Sequence, residues 1–81
     1  MGREEILEKT GEVFREVFMD VHLQITVATT AGDIQGWDSL THIELITAIE
    51  KKFAIRFSFR EVMNFDRVGD MIDAIEKHSD Q

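Results

Sequence analysis

Residues 36–53, GWDSLTHIELITAIEKKF, decide the fold. At Asp38 and Ser39 a stretch with glycine and polar residues gives way to apolar residues that recur every three or four positions. This spacing predicts an amphipathic helix over residues 39–53. Its inward stripe is expected to contain Leu40, Ile43, Ile46 and Ile49, widened by Leu45 and Phe53.

The segment before this helix, residues 19–37, loses the helical spacing. Apolar and polar residues alternate in part of it, which is compatible with a strand, at Val21, Leu23, Ile25 and Val27. No second alternating run exists to pair with them, and an isolated strand is not stable. We therefore expect a long loop that these apolar residues pin to the core. Its flexible part is expected at Thr29, Thr30, Gly32, Asp33 and Gly36.

Three further segments have helical signals. Residues 3–18 form the first, and residues 67–78 form the last, with Asp66 as the expected N-cap. Ser58 and Glu61 make a capping box that predicts a short helix near residues 59–64. The inner faces of the first and last helices are expected to be Ile6, Thr10, Val13, Phe14, Val17 and Phe18, and Val68, Met71, Ile72 and Ile75. We predict an all-α bundle of three main helices plus one short helix, with a long loop between helices 1 and 2, as a single domain over residues 1–81.

The composition excludes several classes of protein. The 81 residues include no cysteine, so disulfides, thiolate zinc sites and cysteine nucleophiles are impossible. A net charge of −7 disfavours nucleic acid and anionic lipid and suits basic protein partners. No apolar run approaches the ~18 residues needed to span a bilayer, and residues 1–6 lack both a signal peptide and a myristoylation pattern. We expect a monomeric cytoplasmic protein without a membrane anchor.

Ser39 is the candidate functional residue. A serine at a helix start has an exposed hydroxyl, and free backbone N–H groups and the positive end of the helix dipole lie beside it. A phosphate ester at that position would be stabilised as anions are at helix starts. Gly36 permits a tight backbone approach just before it. The alternative is that Asp38 or Ser39 merely caps the helix.

The segment Gly36-Trp37-Asp38-Ser39-Leu40 resembles the phosphopantetheine attachment motif of acyl carrier proteins, Asp-Ser-Leu preceded by glycine. Residues 41–53 are similar to that family's recognition helix, and residues 54–57 match its link into a brief third helix. The resemblance implies that a phosphopantetheinyl transferase uses coenzyme A to attach 4′-phosphopantetheine to Ser39, with Gly36, Trp37, Asp38 and Leu40 beside it. The thiol of this arm would hold an acyl or related group as a thioester and present it to acyl-loading and acyl-processing enzymes. The protein itself would not be an enzyme.

The resemblance also implies a docking surface. In the family, the acidic second helix docks on basic patches of partner enzymes. Asp38, Glu44 and Glu50 match that role by position. We therefore expect long-range attraction to bring partners to this helix.

The end of the same helix departs from the family's pattern. Lys51 and Lys52 stand where carriers for fatty acid synthesis usually have acidic residues. With Arg56 and Arg60 they make a basic run, which we include in the docking surface. This run predicts a carrier for a specialised biosynthetic pathway, and Trp37 in place of a small residue favours the same interpretation.

Two other functions compete with a carrier. A protein-interaction adaptor without a prosthetic group would share the bundle, but it need not keep Ser39. A hydrolase triad of Asp38, Ser39 and His42 lacks an oxyanion pocket, and Asp38 is on the wrong side to orient the imidazole. His42 is instead expected to be a solvated neighbour of the prosthetic group. Core-filling or pocket-lining roles are expected for Met19, Met63 and Met71 and for the phenylalanines, of which Phe57, Phe59 and Phe65 are candidates to face the arm or cargo.

Overall fold

The computed structural model describes residues 2–79, which form four α-helices. They are α1 (Arg3–Val17), α2 (Ser39–Phe53), α3 (Phe59–Met63) and α4 (Val68–Ser79). The predicted all-α class is confirmed, and every helix begins and ends within one residue of its predicted bounds. The predicted domain also includes Met1, Asp80 and Gln81, which lie outside the described residues. None of the four helices is long and apolar enough to cross a membrane.

The core lies where α1 packs against α2 and α4. The predicted inner faces of α1 and α4 are confirmed, since the buried residues there include Ile6, Val13, Phe14, Val68, Met71, Ile72 and Ile75. The buried part of α2 is Leu45, Ile46 and Ile49. Full burial of such a side chain contributes about 1.5–3 kcal/mol. Most of the stability therefore comes from the three long helices.

The predicted inward stripe of α2 is wrong at its beginning. Leu40 is 70% exposed and Ile43 is 61% exposed. The core cluster reaches α2 only from Leu45 onward. The first turns of α2 lie instead beside α3, where Ile43 lines an open groove. These two side chains therefore belong to the surface of the protein.

The predicted loop between α1 and α2 is confirmed, and residues 2–79 contain no strand. Leu23 and Ile25 pack against the core as expected, but Val21 is 79% exposed and Val27 is 47% exposed. Only the middle pair of the alternating residues lies over the core. The sequence did not predict the short 3₁₀ turn at Ala31–Asp33 inside this loop.

Backbone hydrogen bonds anchor the loop to the start of α4. The N–H of Val68 donates to the carbonyl of Thr29, and the N–H of Gly69 donates to the carbonyl of Val27, at 2.9 Å each. The first N–H groups of a helix have no partner within the helix, so the loop carbonyls satisfy them. The loop is thereby held in place before it enters α2.

The N-cap predicted for α4 at Asp66 is wrong, because the helix begins at Val68. The N–H groups of Asp66 and Arg67 both donate to Oδ2 of Asp70, at 3.0 Å each. Burial alone would raise the pKa of Asp70, but these hydrogen bonds and the Arg67 guanidinium keep that pKa below its ordinary value. Asp66 therefore supplies a donor to Asp70 and does not act as the cap.

Polar contacts position α3, because none of its residues is buried. The predicted capping box is confirmed: Ser58 Oγ accepts from Glu61 N–H at 3.1 Å, and Ser58 N–H donates to Glu61 Oε1 at 2.8 Å. Glu61 also lies 3.0 Å from Nε2 of His78 on α4. The hydrogen bond from Ser58 N–H is the main cause that lowers the pKa of Glu61, and His78 adds to it against a cost of burial.

Ala54 is the capping residue that follows the last residue of α2, and it has left-handed backbone angles, φ 55° and ψ 47°. This conformation costs a residue with a β-carbon roughly 1–2 kcal/mol. Glycine adopts it without that cost and is the usual residue after a helix end. The chain therefore stores a small strain at the link between α2 and α3.

We expect Ala54→Gly to raise the free energy of unfolding by about 1 kcal/mol, because it removes this strain while giving the unfolded chain some extra freedom. The matched control, Ala48→Gly in the interior of α2, is expected to lower the same quantity by about 1 kcal/mol. Urea unfolding followed by circular dichroism measures both. A loss of stability in Ala54→Gly would contradict the left-handed conformation.

Candidate functional site

Asp38 caps the start of α2. Its Oδ1 accepts the N–H groups of Leu40 and Thr41 at 3.0 Å each. In return, Asp38 N–H donates to Thr41 Oγ1 at 2.8 Å, so the two residues form a capping box. The hydrogen bond from Thr41 N–H is the main cause that holds the pKa of Asp38 below its ordinary value, against a smaller opposing effect of desolvation.

Gly36 turns the chain into this cap. Its φ of +92° lies in the left-handed region that favours glycine. Its carbonyl accepts a hydrogen bond from Thr41 Oγ1 at 2.7 Å. Thr41 therefore joins the turn to the cap and fixes the backbone of residues 36–41.

Ser39 is the first residue of α2, and it is exposed. Because Asp38 supplies the cap, the helix does not need the Ser39 hydroxyl, which forms no hydrogen bond within residues 2–79. The positive end of the helix dipole lies beside it and favours an anion there. The structure thus selects Asp38 as the capping residue and leaves the hydroxyl of Ser39 available for reaction.

A groove of about 670 Å³ opens beside Ser39, between α2 and α3. Most of its lining is apolar, contributed by Ile43 and Ile46 from α2, by Phe59, Val62 and Met63 from α3, and by Trp37 and Phe65. Two of the α3 side chains have little cover, since Phe59 is 80% exposed and Met63 is 66% exposed. An apolar chain attached at Ser39 would find shelter here without entering the core.

Only some of the aromatic and sulfur side chains serve this groove. Phe59 and Phe65 line it, while Phe57 packs edge-on against Phe65 at 5.1 Å between ring centroids. Met71 is fully buried in the core, as expected. Met19 is 91% exposed, so of its two expected roles the core role is wrong. Met19 lines a surface depression beside the end of α1 and not the groove at Ser39.

Trp37 and His42 form a second polar contact at the same place. Trp37 is only 8% exposed, and its indole Nε1 donates to Nδ1 of His42 at 3.0 Å. The other ring nitrogen of His42, Nε2, lies 3.2 Å from the carbonyl of Val62 on α3. His42 is therefore half-buried with both ring nitrogens engaged, and the expectation that it is solvated is wrong. Neither nitrogen is left to activate Ser39.

The acidic docking candidates differ in their surroundings. Glu44 is exposed on α2. Glu50 is half-buried, and its Oε2 accepts the N–H of Phe57 at 2.9 Å. Glu50 thus holds the link between α2 and α3, while Glu44 is free to meet a partner.

The basic candidates also differ. Nζ of Lys52 lies 3.1 Å from Oε1 of Glu12 on α1. Lys51, Arg56 and Arg60 are exposed, and in the described part of the chain they form no ion pair. Three of the four basic positions are therefore available to a partner.

Two features of this site were not predicted from the sequence. The role of Thr41 had a signal, since its spacing from Asp38 is that of a capping box. The contact between Trp37 and His42 had none, because it depends on how the loop folds back over α2.

Comparison with known proteins decides the family. Residues 9–75 match a family model described as "Phosphopantetheine attachment site". The chain belongs to the acyl carrier protein family. Acyl carrier proteins are carriers and not catalysts, and the group attached to them is 4′-phosphopantetheine.

Individual acyl carrier proteins align with nearly the whole chain. That of Acidothermus cellulolyticus is 33% identical over 75 residues, which cover 93% of this chain and 89% of the relative. That of Exiguobacterium sibiricum is 33% identical over 76 residues, which cover 94% and 96%. The solution NMR structure of the holo acyl carrier protein from Geobacter metallireducens is similar in fold, with a TM-score of 0.83 and 38% identity over 89% of this chain and 83% of that one.

The residues at this site of the acyl carrier fold fit a phosphopantetheine group. The attachment needs an accessible hydroxyl, and Ser39 has one. A phosphodiester is an anion, which the start of α2 stabilises. The groove beside Ser39 offers apolar surface to whatever the arm carries.

We expect Asp38→Ala to destabilise the carrier at pH 7, because the N–H groups of Leu40 and Thr41 lose their acceptor. The folded-state pKa of Asp38 is lowered, so its ionised form stabilises the fold above the unfolded pKa of about 3.9. That contribution is lost as the pH falls through the folded-state pKa. The difference between wild type and Asp38→Ala should therefore shrink toward pH 3.

Asp38→Asn is the control, since asparagine caps helices about as well as aspartate but has no charge. It should lose the pH-dependent part of the stability and keep the rest. Urea unfolding at pH 7 and pH 3 measures all three proteins. An equal loss in the Ala variant at both pH values would contradict the role of the ionised carboxylate.

Proposed function

We propose that Ser39 of this carrier holds 4′-phosphopantetheine and that the arm carries an acyl or related group as a thioester in a specialised biosynthetic pathway. The observation that carries the proposal is the free, exposed hydroxyl of Ser39 at a helix start that Asp38 already caps. The family match supports the prosthetic group, because it spans residues 9–75 and includes this position.

The attachment reaction requires little of the carrier itself. A phosphopantetheinyl transferase would bind coenzyme A, and the Ser39 oxygen would form a bond to the phosphorus that carries the pantetheine. The bond from that phosphorus to adenosine 3′,5′-diphosphate would break, and the hydroxyl proton would pass to a base of the transferase. The carrier supplies the accessible oxygen and a helix start that offsets the charge of the new phosphodiester.

A covalent arm suits a carrier because it keeps the cargo at high effective concentration near each docked active site. The groove between α2 and α3 would shelter an apolar cargo between enzymes. Its exposed rim, formed by Phe59 and Met63, lets the cargo leave without a change in the core. The non-covalent contacts of the cargo with the groove would therefore be weak, and the covalent bond would retain the cargo.

Partner enzymes would dock at both ends of α2. The acidic side is Asp38 and Glu44, and the basic side is Lys51, Arg56 and Arg60, which are exposed. Carriers for fatty acid synthesis usually have acidic residues where Lys51 and Lys52 stand, so these lysines favour a different set of partners. Since coenzyme A and the transferase are cytoplasmic, we place the carrier in the cytoplasm. We also expect it to be a monomer.

The competing adaptor function has less support. An adaptor would gain nothing from an unused hydroxyl at a capped helix start with an apolar groove beside it. Both functions predict the same bundle, so only modification of Ser39 separates them.

Incubation with coenzyme A and a phosphopantetheinyl transferase of broad specificity should add one phosphopantetheine to the wild type. Ser39→Ala should accept none, and its free energy of unfolding should equal that of the wild type, because Asp38 and not Ser39 caps α2. Intact-mass spectrometry and urea unfolding measure the two properties.

Ser58→Ala is the matched control. Its hydroxyl caps α3, so the loss should cost about 1 kcal/mol of stability, yet the protein should still be modified. A wild type that stays unmodified would refute the proposed function, and so would a modified Ser39→Ala variant.

The double variant Lys51→Glu, Arg56→Glu should be a better substrate for the malonyl transferase of a bacterial fatty acid synthase. Exposed charge pairs contribute about 0.2–1 kcal/mol each, so two reversals should change kcat/KM by roughly twofold to thirtyfold. The gain should fall as the salt concentration rises.

Lys77→Glu reverses one charge on α4, half the change of charge in the double variant, and serves as the control for position. It should leave kcat/KM unchanged. Equal kinetics of the double variant, Lys77→Glu and the wild type would show that the basic run is only a solvated surface, and the argument for a specialised pathway would fail.

A further inference from the structure

The wall of the groove is held by polar contacts. The helix α3 has no buried residue, yet Phe59, Val62 and Met63 form one side of the groove. Two histidines reach α3 from the neighbouring helices: His42 on α2 contacts the carbonyl of Val62 at 3.2 Å, and His78 on α4 contacts Glu61 at 3.0 Å. The distance between α2 and α3, which sets the width of the groove, therefore depends on His42.

Trp37 decides which nitrogen of His42 bears the proton. An indole N–H can only donate, so Nδ1 of His42 must accept the hydrogen bond from Trp37 at 3.0 Å. The imidazole is then neutral with its proton on Nε2, which donates to the carbonyl of Val62. That carbonyl is near the end of α3, and it also accepts the N–H of Phe65 at 3.5 Å. The three groups form one directed chain from the loop through α2 to α3.

The position of the indole is itself fixed. The Trp37 ring packs edge-on against Phe14 of α1, with 5.3 Å between the ring centroids. It lies nearly parallel to the His42 ring, with 6.0 Å between the ring centroids and 19° between the ring planes. Phe14 is fully buried in the core. The chain of hydrogen bonds therefore connects α3 to the buried core, one turn after Ser39.

We propose that His42 is a positioning residue for the cargo: fixed by Trp37 in one tautomer, it holds α3 against α2 and thereby keeps the groove narrow around an acyl group. This inference rests on the proposed function of Ser39. The ligand class is an apolar acyl thioester, since the groove lining beside His42 is Ile43, Ile46, Val62 and Met63. A purely structural role for His42 would stabilise the fold without changing the protection of the thioester.

The tautomer can be measured directly. Long-range ¹H–¹⁵N correlation spectra of the unmodified wild type at pH 7.5 should show His42 with an unprotonated Nδ1 and a protonated Nε2. In Trp37→Phe, which keeps an aromatic ring but removes the donor, the fixed preference should disappear. A wild-type His42 with its proton on Nδ1 would overturn the proposal.

Protection of the cargo is tested on the loaded carrier. Octanoyl-coenzyme A and the transferase attach the arm with its acyl group to each protein, and neutral hydroxylamine then attacks the thioester carbonyl, forming the hydroxamate and releasing the thiol. His42→Asn retains an acceptor for Trp37 but is too short to reach Val62. Loss of one hydrogen bond, worth about 1 kcal/mol, corresponds to roughly fivefold in the open population, so cleavage should be about fivefold faster.

His22→Asn is the matched control, since His22 is exposed in the loop and does not line the groove. Its cleavage rate should equal that of the wild type. The thioester on Trp37→Phe should also be cleaved faster than that on the wild type. If circular dichroism shows that His42→Asn does not fold, the cleavage rate of Trp37→Phe tests the proposal in its place. Equal cleavage rates in the wild type and the folded variants overturn the role of His42, whereas failure of every protein to accept the arm overturns the proposed function instead.

Discussion

The capping box between Asp38 and Thr41 is the contact on which the site depends. It satisfies the first N–H groups of α2 with a side chain that lies outside the helix, and Thr41 also bonds the carbonyl of Gly36. The hydroxyl of the next residue, Ser39, is then not needed to cap the helix. If Ser39 were the cap, modification would change the oxygen that accepts the first N–H groups of the helix that presents it. The arrangement separates the group that stabilises the helix from the group that reacts.

Polar contacts serve different ends in the two halves of the molecule. On the side of α1 and α4, apolar burial holds the helices, and the loop carbonyls of Val27 and Thr29 complete the start of α4. On the side of α3, side-chain hydrogen bonds replace apolar burial. Glu50 bonds the link at Phe57, and Ser58 and Glu61 cap the helix. His42 and His78 connect α3 to α2 and α4. Such contacts are weaker in total than a packed core, and they leave open space beside Ser39.

The sequence predicted the helices well because each is long and periodic or has a strong cap. Residues 39–53 and the Ser58–Glu61 pair are examples, and both have the predicted bounds to within one residue. Periodicity could not tell that Leu40 and Ile43 are exposed, because it reveals the apolar face of a helix but not how much of that face another helix covers. The expected cap at Asp66 failed because the N–H groups that it would accept, those of Val68 and Gly69, donate instead to the loop carbonyls of Thr29 and Val27.

The helix α3 has no buried residue, and the core of α1, α2 and α4 does not include it. We therefore expect the free energy of detaching α3 to be lower than the free energy of unfolding the whole chain. Amide hydrogens of α3 would then exchange with solvent through a local opening, while those in the middle of α1 would exchange only when the whole chain unfolds. Local opening of α3 could therefore expose and enclose the groove repeatedly while the core stays folded.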